Sequence, residues 1–199
     1  EEGIEILRRA WSGEPVNFEG KRFTVGDFKI TPPPKRAPRV LLGGMAPPAI
    51  DRAARIADGF LCTGGIGMDT YVECLAANGK APEEGNIILG SWAIIAEDPE
   101  AEAERVGDHV LYQSNEYIRW GAFGPPDQTP LFPDARTAIE NGLYELWDAD
   151  MAVEKLSAMI EQYPQISDIH FWAQFPGESV EAGDRRMTYI AEKVLPRLR

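Results

Sequence analysis

Residues 39–65 read RVLLGGMAPPAIDRAARIADGFLCTGG. An apolar run, Val40-Leu41-Leu42, ends in Gly43-Gly44. A helical pattern follows, and a second apolar run, Phe60-Leu61-Cys62, ends in Thr63-Gly64-Gly65. Two parallel strands joined by a crossover helix need about this length. Glycine at a strand end lets backbone approach a ligand, because no Cβ intervenes. The two glycine ends therefore read as the floor of a cofactor site. On spacing alone, two ordinary strand-to-helix turns are the favoured explanation, because a glycine pair is common.

Working outward, the same alternation repeats. Before this stretch, residues 1–11 place Ile4, Leu7 and Trp11 on one helical face. Residues 16–25, VNFEGKRFTV, alternate around Glu19-Gly20 as a hairpin does. Thr31-Pro32-Pro33-Pro34 then forces an extended linker. After it, residues 68–78 form a helix with an Asn78-Gly79 stop, and residues 87–96, IILGSWAIIA, read as a third core strand. Asp98-Pro99 opens a long helix to about Trp120. Residues 121–135 are a Gly/Pro-rich loop of the length that lids and binding loops have. Helical patterns over about 136–147 and 150–162 precede a fourth strand, residues 166–173, and a final helix, about 181–198.

Helix followed by four strand–helix units predicts an α/β fold with a parallel sheet. Four units are half of an eight-stranded barrel, and a half barrel leaves open sheet edges. The helix that begins at Glu1 has no N-cap before it. The expectation is one domain, residues 1–199, truncated at its N-terminus, that belongs to a longer protein or completes itself as a homo-oligomer.

Composition narrows the function classes. Acidic residues outnumber basic ones 32 to 20, a net charge of −12, which disfavours nucleic acid and anionic membranes as partners. No apolar run approaches a membrane span. The two cysteines, Cys62 and Cys74, have neither metal nor redox spacing, and a cytoplasmic location is expected. There is no Ser/His/Asp set, P-loop or zinc spacing, and the two histidines, His109 and His170, are far apart. The chemistry is therefore expected to rest on a cofactor.

Four stretches in combination carry a family resemblance: EEGIEILRRAWSGEPVNFEGKRF (1–23), PPPKRAPRVLLGGMAPPAIDRAARIADGF (32–60), DPEAEAERV (98–106) and VLPRLR (194–199). Together they resemble the luciferase-like monooxygenase superfamily, (β/α)8 barrels that use FMN or a deazaflavin coenzyme. The resemblance covers the C-terminal half of that barrel, about strands five to eight. It implies an oxidoreductase in which reduced FMN and O2 act on a small organic substrate, with a separate flavin reductase as a possible partner. The alternative is hydride transfer with a deazaflavin and no O2. An alternative of another class is a non-catalytic flavin-binding or dimerising half barrel.

The resemblance implies cofactor contact by Gly43, Gly44, Met45 and Ala46, followed by Pro47, and by Thr63, Gly64 and Gly65. A deazaflavin sugar-phosphate dehydrogenase branch carries a lysine in the next loop. Here that loop is Ile66-Gly67-Met68, so a sugar phosphate is not the expected substrate. Trp172, Gln174 and Phe175, near the end of the fourth strand, read equally as substrate contacts or as core and loop anchors. Trp92 and Trp120 read as core, His170 as packed or paired, Asp58 as stabilising, and the acidic run 97–104 as a solvated helix N-terminus. No catalytic residue is assigned, and no metal.

Overall fold

The computed structural model describes residues 1–141 and 144–198. The chain forms two compact units. Unit one holds Glu1–Cys62 and Ile66–Ile88; unit two holds Thr63–Gly65 and the chain from Leu89.

In unit one, helix α1 (Glu2–Trp11) leads into an antiparallel hairpin, β1 (Val16–Glu19) and β2 (Thr24–Phe28). The Glu2 carboxylate closes that hairpin's turn. It accepts N–H bonds from Lys21 (2.8 Å), Arg22 (2.9 Å) and Phe23 (3.0 Å). Strand β3 (Leu41–Gly43), helix α2 (Pro47–Ile56), strand β4 (Gly59–Thr63) and helix α3 (Met68–Ala77) follow. β3 and β4 are parallel, with Leu41 opposite Gly59 and Gly43 opposite Leu61.

The sequence pattern explains the packing. Ala53 and Ala54 are buried on α2, and their small side chains let the helix lie close. Along β4, Phe60 and Cys62 are buried while Leu61 is 42% exposed, the alternation of a strand with one covered face. Phe60 stacks on Tyr71 at 5.2 Å between ring centres. Asp58 is a structural group, as expected: its carboxylate accepts from Val40 N (2.8 Å) and from Arg8 (2.8 Å). Phe60 N donates to Asn86 O at 2.8 Å, where the next strand begins.

That strand, β5 (Ile87–Ser91), starts in unit one. Unit two continues with β6 (Ala93–Ile95), α4 (Pro99–Arg119), α5 (Ala135–Glu140), β7 (Glu145–Trp147), α6 (Ala149–Gln162), β8 (Ile166–Phe171) and α7 (Val180–Tyr189). In strand order β8 neighbours β5, whose residues from Leu89 on lie in this unit. β6 pairs in parallel with β7, Ala93 opposite Glu145 and Ile95 opposite Trp147.

β6 is apolar on both faces. Ala93 and Ile95 join a core with Trp147, Ala152, Leu156 and Val194, while Ile94 joins another with Ala103, Val106, Val110, Tyr144 and Phe175. This is the burial a parallel strand between helical layers requires. The fold is α/β with a parallel sheet, a partial (β/α)8 barrel.

Two expectations are corrected. Residues 87–96 are not one strand: the ladder breaks at Trp92. Residues 136–147 are not one helix: α5 ends at Glu140 and a strand occupies Glu145–Trp147, with Gly142 and Leu143 outside the described residues. The physical reason is the same for both. Buried β6 needs a backbone partner. Glu145 N donates to Trp92 O (2.9 Å), and Ala96 N to Trp147 O (3.1 Å). Pairing overrides the weak local preference of a three-residue segment.

Candidate functional site

The ten residues singled out from the sequence fall into both units. Gly43, Gly44, Met45 and Ala46 are in unit one; Thr63, Gly64, Gly65, Trp172, Gln174 and Phe175 are in unit two.

In unit one, Gly43 ends β3 and a Cβ on it would sit 3.2 Å from Leu61 O. Gly44 has φ +151°, and a Cβ there would come within 2.6 Å of the Ala49 Cβ. The approach of α2 is therefore enough to require glycine at 44. Met45 is exposed, and Ala46 is the extended residue before α2, its carbonyl accepting from Ala49 N (2.8 Å).

In unit two, Thr63-Gly64-Gly65 leaves β4 through two left-handed residues, φ +58° and +78°. No atom lies within 4 Å of where a Gly64 Cβ would be. Glycine at 64 thus answers to backbone conformation, and the turn presents an open, side-chain-free surface. Gly64 N donates to Gly90 O at 2.7 Å, which fixes the turn on β5 two residues before Trp92.

Trp92, at the break between β5 and β6, is the hub of an aromatic wall. Its ring meets Tyr117 (5.3 Å), Tyr144 (5.2 Å), Trp172 (6.2 Å, edge-on) and Phe123 (6.4 Å, edge-on). Trp92 and Tyr117 are half-buried, and Phe123 and Trp172 are exposed. Trp92 is thus not wholly core, and Trp120, 72% exposed beside Tyr117, is not core at all. Tyr144 is buried, and that burial raises its hydroxyl pKa; its O–H donates to Gln113 at 2.6 Å.

The Gly/Pro-rich loop is tied down beside this wall. Asn115 on α4 donates to Phe132 O (3.1 Å) and accepts from Phe132 N (2.9 Å), a side-chain copy of strand pairing. Phe175 is 2% exposed, between Tyr144 (5.5 Å) and the Arg186 guanidinium (5.1 Å), so it anchors its loop. Gln174 donates to Glu178 O at 2.8 Å. His170 is exposed on β8 rather than packed.

Beneath the loop lies a charged network that sequence reading missed. The Glu178 carboxylate accepts from Arg105 Nη2 (2.6 Å), Arg186 Nη1 (2.7 Å), Arg186 Nη2 and Phe175 N (3.1 Å). Arg186 also reaches Glu102 (2.7 Å) and Ala173 O (2.6 Å). Burial alone would raise the Glu178 pKa; Arg186 and then Arg105 outweigh it and hold the group at about 2. Glu102 is lowered by Arg105, against burial, and by Arg186. The acidic run is thus only partly a solvated helix start: Asp98 caps α4 through Ala101 N (3.0 Å), while Glu102 turns inward. One sequence signal existed. Arg186 interrupts the stripe Ala182–Ile190 on the inward face of the last helical pattern.

An open cleft of about 750 Å³ lies elsewhere in unit one, against α1 and the hairpin, lined by Glu2, Glu5, Arg9, Phe18, Lys21 and Phe23. None of the ten residues lines it. Among the described residues no group of His, Cys, Asp and Glu could hold a metal, and no helix is long and apolar enough to cross a membrane.

Within unit two the Thr63-Gly64-Gly65 turn follows β4, Trp92 follows β5 and Trp172 follows β8, and strand C-terminal ends are where barrels bind their ligands. Residues 1–162 match the family model described as luciferase-like monooxygenase. This chain belongs to that family. An F420-dependent glucose-6-phosphate dehydrogenase of Amycolatopsis mediterranei is 25% identical over 213 residues, covering all of this chain and 60% of that protein. An FMNH(2)-dependent dimethylsulfone monooxygenase of Pseudomonas fluorescens is 29% identical over 117 residues, 58% of this chain and 32% of that protein. A monooxygenase of Streptomyces bottropensis superposes with TM-score 0.70 at 22% identity, over 98% of this chain and 59% of its own. The chain thus spans about 60% of the length of curated relatives that it matches end to end. Its luciferase-like relatives are oxidoreductases of both cofactor types.

Proposed function

We propose that this luciferase-like chain supplies one wall of a flavin-type cofactor site in an oxidoreductase that acts on a small, uncharged organic molecule. The observation that carries the reading is the Thr63-Gly64-Gly65 turn, left-handed and open, set in the same unit as the Trp92–Trp172 wall. A tricyclic ring needs flat apolar contact and close backbone approach. The turn offers an approach without side chains, and Trp92, Tyr117, Phe123 and Trp172 offer ring faces and edges. The residues present therefore fit such a group.

When bound, the cofactor supplies the redox step, hydride transfer for a deazaflavin or O2 activation for reduced FMN. The chain's own residues orient and exclude water. Trp172 and Phe123 cover apolar surface, and Asn115 holds the 121–134 loop beside them.

Of the two cofactors, F420 is the first reading, because relatives that match the whole chain are named F420-dependent. FMN with O2 is the second, on the dimethylsulfone monooxygenase likeness and the sequence resemblance. In that reading a separate reductase supplies reduced FMN. A sugar phosphate is not proposed, since Ile66-Gly67-Met68 brings no cation to the loop. Further parts of the proposal are a cytoplasmic location and a homo-oligomeric enzyme. Titrating F420 and FMN separately, by quenching of their fluorescence, tests the reading. Saturable F420 binding with none for FMN is the expected result; the reverse selects the second reading, and binding of neither sinks both.

A further inference from the structure

We propose that Arg186 and Glu178 form a positioning pair that fixes the loop after β8 and thereby sets how Trp172 meets Trp92. This rests on the reading of the aromatic wall as ligand surface. The pair is almost wholly buried, 4% and 1% side-chain exposure, and meets fork-to-carboxylate. Such bidentate contacts fix angle as well as distance.

What the pair holds is the backbone immediately beyond Trp172. Arg186 Nη2 donates to Ala173 O at 2.6 Å. Glu178 accepts from Phe175 N at 3.1 Å, and its own carbonyl accepts the Gln174 amide at 2.8 Å. Glu178 N returns to Phe175 O at 3.0 Å. The next residue, Pro176, is held from α4, where His109 Nδ1 donates to Pro176 O at 3.0 Å. Every residue from Ala173 to Pro176 is therefore tied by at least one bond.

The loop also sits where the helix gives way to it. A Cβ on Gly183 of α7 would be 3.1 Å from the Gln174 Cβ and 3.2 Å from Ala173 O. The absence of a side chain at 183 brings α7, and with it Arg186, up to the loop. From Arg186 the contacts run ring by ring: guanidinium on Phe175, Phe175 on Tyr144, Tyr144 on Trp92, Trp92 on Trp172. Arg186 thus reaches Trp172 twice, through the backbone at Ala173 and through the rings. A surface ion pair would leave these angles free; this one is buried with every carboxylate oxygen engaged.

The test is spectroscopic and binding together. Trp172→Phe assigns the exciton-coupled Trp–Trp band in circular dichroism to the Trp92–Trp172 pair. Arg186→Lys keeps the charge and removes the fork. The expected result is a diminished band, with F420 or FMN affinity weakened about tenfold and helix content retained. Arg186→Lys with band and affinity unchanged overturns the positioning role. If Arg186→Lys does not fold, Arg105→Met on the network's exposed rim and the near-isosteric Glu178→Gln are read by the same band; no change in any folded variant overturns the proposal. Should Trp172→Phe leave binding of both cofactors untouched, the ligand-wall reading fails instead, and the band in Arg186→Lys still decides whether the pair positions Trp172.

Discussion

Gly44 and Gly64 separate two reasons for a glycine. At Gly44, φ of +151° combines with an Ala49 Cβ 2.6 Å from any new Cβ. Gly44→Ala should destabilise the chain by about 2 kcal/mol or more, read as a lowered urea midpoint, because a clash adds to backbone strain. Gly64→Ala meets open space and carries only the left-handed cost, about 1 kcal/mol, so its loss should show in cofactor affinity more than in the midpoint. Equal midpoints for the two variants would contradict this. Glu178 makes a third residue-scale case. Its folded pKa, about 2, lies below the ordinary 4.5, so the stability it contributes is fully present above 4.5 and is lost as pH falls toward 2. Glu178→Gln should flatten the pH dependence of unfolding free energy in that window and leave it parallel to wild type at higher pH. The glycine turns were legible because a turn is local. The Glu178–Arg186–Arg105–Glu102 network was not, because its partners lie up to 84 positions apart and only their arrangement in space makes them one group.

At the scale of elements, the loop between α4 and α5 is tethered to α4 by the Asn115 side chain. Asn115 satisfies both backbone groups of Phe132. Asn115→Ala leaves them without that partner and should cost about 1–3 kcal/mol. Hydrogen exchange should rise, and limited proteolysis move, within residues 121–134; unaltered exchange there would refute the tether. The strand–helix–strand stretch at 39–65 was readable because apolar runs, alanine spacing and glycine ends all agree locally, and β3, α2 and β4 follow it. β7 was not readable, since Glu145–Trp147 offers three residues of pattern and its cause, the unpaired edge of β6, lies elsewhere in the chain. The loop itself was readable from its glycines and prolines, yet its anchor required a helix residue whose polar amide points inward.

For the molecule as a whole, a net charge of −12 opposes self-association, while Met45, Leu61 and Ile66 expose apolar side chains in unit one. Raising salt screens the repulsion and leaves the apolar attraction in place. Sedimentation velocity should therefore show heavier species in high salt, and Leu61→Lys should reduce them; indifference to both would count against these side chains as the cause. The fold class and the luciferase-like family were legible throughout, because four separated stretches carry them together. The aromatic wall was legible only in part, as Trp92 and Trp172 stand out in sequence while Tyr117, Phe123 and Tyr144 look like ordinary core. The break at Trp92 has a consequence for synthesis. Residues 87–95 serve as two strands, and their partners β7 and β8 come about 50 and 75 residues later. At translation speeds of about 5–20 residues per second, this apolar segment waits roughly 4–15 seconds for β8 to be made. During that interval it is a natural client for a holding chaperone, with Ser91 the one hydroxyl side chain within it.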